Sequence, residues 1–168
     1  MMSRVQKGMI AGLAATIAVS VLEAVNLYGA PMLGMEPWAV SFPRLLSVML
    51  QTPDLMIVGW IAHFVVGAFI LGPIFGVLCP RLPTDTPESK GILFAVGAFI
   101  VMGLTVAPLV GLAGGRPVGI FFMEAGFGTL AWMIATHAVY GIVLGSVYGR
   151  LVARDKRAHV PIAGAPAH

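Results

Sequence analysis

His63 and His137 sit in two different apolar segments in matching settings: a Trp shortly before and a Gly four residues after. The first reads Gly59-Trp60-Ile61-Ala62-His63-Phe64-Val65-Val66-Gly67. The second reads Trp132-Met133-Ile134-Ala135-Thr136-His137-Ala138-Val139-Tyr140-Gly141. Ionisable groups inside membrane helices are costly, so they point first to function. Neutral imidazole binds metal. Two of them at one depth on facing helices suit axial ligation of a single haem b, with Gly67 and Gly141 clearing room for a flat macrocycle. They also suit a metal site, with Glu23 and nearby methionines as further ligands, or the handling of a quinone or of protons. The plain alternative is a hydrogen bond to a neighbouring helix, contributing about 1 kcal/mol. Glu23 and Asn26 are the other polar groups expected inside a span. Glu23 is the acid a small proton-coupled transporter would use. Its plainer reading, which the chain favours, is as a partner of Asn26, of a His or of water.

These side chains need a membrane around them. The chain has 168 residues, 58% hydrophobic and only 10% charged. A soluble domain carries about 25% charged residues, so this composition could not cover a surface in water. Four stretches approach or exceed the ~20 residues that cross ~30 Å of hydrocarbon. They run roughly Gly8 to Tyr28, Leu55 to Leu78, Gly91 to Leu112 and Leu130 to Tyr148. The expected architecture is therefore all-α, a four-span bundle over residues 1–150, with 151–168 as a disordered cytoplasmic tail. Thr52-Pro53-Asp54 has the chemistry of a helix start for the second span, and Thr129 for the fourth.

Charge gives the orientation. Arg4 and Lys7 precede the first span, Arg81 and Lys90 lie between the second and third, and Arg150, Arg154, Lys156 and Arg157 follow the fourth. Only Arg44 and Arg116 fall on the other side, so the positive-inside rule puts both termini in the cytoplasm. Trp38, Trp60 and Trp132 fall near the outer ends, as an aromatic belt does. Arg4 and Lys7 also resemble the start of a cleaved signal peptide, but Glu23, Asn26 and the length of the stretch favour a retained helix. In the first outer loop, Trp38, Phe42, Leu45, Leu46 and Met49 share a face, which predicts a short interfacial helix.

Gln6-Lys7-Gly8-Met9 opens the first span and Ser89-Lys90-Gly91-Ile92 the third. Each leads through an outer loop to a helix carrying His and then Gly. That pattern suggests two tandem helical hairpins related by an axis along the membrane normal. Gly8 with Gly12, Gly72 with Gly76, and Gly141 with Gly145 and Gly149 form small-residue stripes, which signal close helix packing.

No soluble catalytic constellation is present. The serines lack a nucleophile-elbow context, and Gly114-Gly115-Arg116-Pro117 has no strand before it to make a phosphate loop. Cys79 is the sole cysteine, which excludes an internal disulfide framework. The basic residues flank spans, so nothing suggests nucleic acid. The expected function is non-enzymatic: an accessory or assembly subunit of a membrane complex, with a homo-oligomer as the other partnership. The haem or metal protein and the small transporter are the alternatives.

Several segments together carry a likeness: Lys7-Gly8-Met9-Ile10-Ala11-Gly12, Trp60-Ile61-Ala62-His63-Phe64, Pro80-Arg81-Leu82-Pro83, Lys90-Gly91, and His137-Ala138-Val139-Tyr140-Gly141 with Leu144-Gly145. The set resembles an uncharacterised family of small bacterial four-helix membrane proteins, a domain of unknown function. The resemblance covers about residues 4–150 and implies the bacterial inner membrane. It implies no activity.

Overall fold

A computed structural model describes residues 2–114 and 116–158. Four helices are long and apolar enough to cross a membrane: α1 (Arg4–Met32), α3 (Met56–Arg81), α4 (Pro87–Leu112) and α5 (Phe127–Arg157). A short helix, α2 (Phe42–Met49), lies between the first two. There is no strand among the described residues. The chain is thus an all-α, multi-pass membrane protein by the length and composition of its helices.

Glycines decide which helices touch. Gly8 and Gly12 on α1 face the backbone of Gly72 and its neighbours on α3, and a Cβ at either Gly would collide with main-chain atoms. Gly91 on α4 meets Gly141 and Gly145 on α5 in the same way. With no side chain between them the backbones approach closely, which is how apolar helices gain contact in lipid. α1 also packs along α5, so the spatial order is α3, α1, α5, α4. α3 and α4 do not pack along one another. They meet where the Phe75 and Phe94 rings stand edge to face, 5.4 Å between centroids.

Proline shapes three of the spans. Proline lacks an N–H and its ring clashes with the carbonyl four residues back. In α1 a wide π-turn, Val25–Gly29, precedes Pro31; in α3 another, Val65–Leu71, precedes Pro73. In α4 the helix breaks at Thr105, three residues before Pro108. A π-turn absorbs the mismatch without leaving the helix. The turn in α1 begins two residues after Glu23, and the turn in α3 two residues after His63.

Several helix ends differ from expectation. α5 continues through Arg157, so the boundary at 150 falls inside a helix, and Asp155 on that extension pairs with Lys7 of α1 at 2.7 Å. The tail's remaining residues, 159–168, lie outside the described residues. Thr52 does not cap α3. Its hydroxyl donates to the Ser47 carbonyl and closes the end of α2, while α3 begins after Leu55 without a side-chain cap. Thr129 does not cap α5, which begins after Gly126 in a left-handed conformation that favours glycine. Instead the Thr129 hydroxyl accepts from the Val40 amide and fastens the first loop to α5. Trp38 lies ahead of α2, not on it.

α2 folds inward. Pro43, Leu45, Leu46 and Ser47 are buried, and the Pro43 carbonyl rests where a side chain at Gly59 would stand. Leu45 joins Met102, Val110, Phe122 and Met133 in one apolar cluster. α2 therefore bridges the loop ends of α3 and α4 and roofs the space between them.

Candidate functional site

Beneath that roof lies a cleft of about 580 Å³, with one wall from α3 and the other from α4. The volume falls within the usual ~300–1,000 Å³ of small-molecule sites. Its rim residues Ile74, Leu78, Leu93, Gly97, Val101 and Thr105 are exposed, so the cleft opens sideways between the two spans. Its floor comes from α1 and α5: Thr16, Val19 and Glu23 on one, Met133, Thr136, His137 and Tyr140 on the other. The lining is almost entirely apolar except for these floor residues and His63.

Glu23 is fully buried. Trp132 donates its indole N–H to Oε1 at 3.1 Å. Oε2 has no hydrogen-bond partner; the Phe42 amide lies nearby without reaching it in good geometry. Such an orphan is unusual, because leaving a buried acceptor unpaired costs about 1–3 kcal/mol. His63 is 6% exposed, and neither ring nitrogen has a partner. Its ring is held instead by edge contacts from Phe42, Trp60 and Phe64, each 5.8 Å between centroids. The Thr16 carbonyl lies close but outside bonding geometry.

The neighbouring polar groups are satisfied. His137 places Nδ1 2.7 Å from the Met133 carbonyl of its own helix, which fixes Nδ1 as the protonated nitrogen and leaves Nε2 as the acceptor. Its ring lies 5.3 Å from that of Phe99. The Thr16 and Thr136 hydroxyls bond carbonyls one turn back on their own helices. Tyr140 donates to the Gly67 carbonyl at 2.7 Å, tying α5 to the wide turn of α3.

The sequence pointed to His63, His137, Glu23 and Asn26. The cleft brings the first three together, while Asn26 serves the loop: its amide donates to the Ala39 carbonyl at 2.9 Å and accepts from the Ala39 N–H at 3.3 Å. Glu23 bonds Trp132, not Asn26 or a His. The two histidines are not equivalent. His63 stands among Phe42, Trp60 and Phe64 with no hydrogen bond, whereas His137 bonds its own helix and stands beside Phe99. Sequence reasoning missed Thr16, Trp132 and Tyr140. Thr16, Val19 and Glu23 recur every three or four positions, a one-face signal that was available.

Haem b and metal can be tested against these residues. Both imidazoles line one cleft, which favours haem, but the lining contains no Arg or Lys for two propionates and presents the Glu23 carboxyl instead. Among the described residues no three His, Cys, Asp or Glu side chains converge at metal-binding distance. The cleft therefore supplies two imidazoles without the other groups that a haem or a metal site calls for.

No curated protein and no solved structure matches the chain. A family does: residues 2–159 match the one described as "Family of unknown function (DUF6789)", and the chain belongs to it.

Proposed function

We propose that the protein binds a membrane-dissolved amphiphile in the cleft between α3 and α4, and has no chemistry of its own. The carrying observation is that Glu23 Oε2 and both nitrogens of His63 are buried on the lining without partners. A neutral imidazole offers one donor and one acceptor, and a carboxyl accepts, or donates when protonated. A head with hydroxyl or carbonyl groups satisfies both once the side chains that cover these buried atoms move aside. A neutral head suits a lining without Arg or Lys. The apolar walls and the sideways opening suit a long tail entering from the bilayer. These features together describe an isoprenoid quinol.

Such a protein serves as an accessory or assembly subunit that presents the ligand to a larger membrane complex. The basic residues at one end support a bacterial inner-membrane orientation with both termini cytoplasmic. In that orientation α2 lies at the outer interface. The hydroxyl caps Ser3 and Thr86 stand at the same place in the two hairpins, each accepting from the amide three residues on. That correspondence supports the tandem-hairpin reading.

The test is purification in mild detergent, followed by organic extraction and mass spectrometry alongside a visible spectrum. The expected result is an isoprenoid quinone or quinol in near-stoichiometric amount, strongly reduced in His63→Phe. A Soret band lost in that variant would instead assign the cleft to haem. Lipid content equal in both proteins would refute a built site.

A further inference from the structure

One side chain stands between the cleft and its unpartnered polar atoms. Three rings meet His63 edge-on, those of Phe42, Trp60 and Phe64. Of these, Phe42 alone also lines the cleft. Its amide lies beside the Glu23 carboxyl as well. Phe42 therefore has the cleft on one side and both unpartnered groups on the other. The residue is half-buried, while Glu23 Oε2 and the two His63 nitrogens behind it are sealed.

The backbone around Phe42 is pinned. Asn26 bonds both main-chain groups of Ala39, and the Thr129 hydroxyl accepts from the Val40 amide. On the other side the Pro43 carbonyl rests against Gly59. The ring is the part left free to move. Open space of about 580 Å³ lies beside it, and a half-buried side chain changes rotamer without moving its helix. We infer that Phe42 is the gate of the cleft: its ring swings into the open space before a ligand's head group reaches His63 and Glu23. This rests on the reading that the cleft takes an amphiphile, and it adds the residue that controls entry to the polar end.

The test labels ligand-free protein in mild detergent with diethyl pyrocarbonate, which acylates neutral imidazole, and follows each histidine by peptide mass spectrometry. His137 lines the same cleft beside Phe99 and serves as the internal reference. A minor open state is populated about 0.1–10% of the time, so a closed gate slows the His63 reaction at least about tenfold. Phe42→Ala restores that factor at His63, while Phe64→Ala, which removes an equivalent ring contact away from the lining, raises the rate less than about threefold. The His137 rate is unchanged in both. Phe42→Leu keeps most of the volume and is read in the same way should the alanine variant lose its helical ellipticity. An unchanged His63 rate in the Phe42 variants overturns the gate. An equal rise in Phe64→Ala also overturns it, because it would mean general loosening around the imidazole. No quinone enters this assay, so the two readings fail separately. Faster labelling in Phe42→Ala of a protein that retains no quinone supports the gate and overturns the quinol.

Discussion

If His63 is held for a ligand rather than for stability, replacing it should strengthen the empty protein. The substitution is His63→Phe. Phenylalanine keeps an aromatic ring against Phe42, Trp60 and Phe64 and removes two buried nitrogens that have no partners. In water, each orphan costs about 1–3 kcal/mol, so two cost about 2–6. In lipid the unfolded reference also finds few partners, and single hydrogen bonds average only about 0.6 kcal/mol with a maximum near 1.7. The gain should therefore be roughly 1–3 kcal/mol. Phenylalanine is slightly larger than histidine, so any overpacking subtracts from that gain. The assay is reversible unfolding by dodecyl sulfate in mixed micelles, followed by helical ellipticity, on ligand-free protein. His137→Phe is the contrast, because its Nδ1 bond to Met133 is lost, and it should be neutral or lose up to about 1.7 kcal/mol. A loss of 1 kcal/mol or more in His63→Phe would mean that the His63 nitrogens are bonded in the folded protein. The residue would then be structural, and the reasoning would be wrong.

Gly72→Leu should cost more than 3 kcal/mol in the same assay, since its side chain would meet the Gly8 backbone. Gly97→Ala, on the open rim with nothing within 4 Å, should stay within about 0.5 kcal/mol. Asn26→Ala leaves the Ala39 N–H and carbonyl unpaired and should lower stability by about 1–3 kcal/mol. Limited proteolysis should then cut faster in residues 33–41; an unchanged cutting rate would show that the loop is held by other contacts.

The four spans were legible because hydropathy and length speak directly to a bilayer. The glycine stripes were legible as close contacts, but a stripe does not name its partner. That α1 packs on α5, leaving α3 and α4 apart, depends on which stripes match across the whole bundle. The cleft follows from that choice, so the meeting of Glu23 with Trp132, 109 positions apart, was out of reach. The end of α5 was misplaced because charges after Tyr148 signal departure from lipid, and helices do not stop where lipid does. Thr52 and Thr129 were misread as caps because local chemistry cannot see the loop contacts that claim their hydroxyls. The prolines before which α1, α3 and α4 deviate were in plain view, and they mark the turns beside Glu23 and His63.

The central claim is that the cleft receives a quinol-like amphiphile at Glu23 and His63. Trp132 reports on it in a background with Trp38 and Trp60 replaced by Phe, because its indole bonds the Glu23 carboxyl 3.1 Å away and a bound quinone quenches indole fluorescence. The decisive measurement is a quenching titration of ligand-free protein in nanodiscs with a short-tailed quinone. The account predicts saturable quenching that is weakened at least tenfold in His63→Phe and in Glu23→Leu, with both variants folded. Linear, unsaturable quenching identical in all three proteins would contradict it.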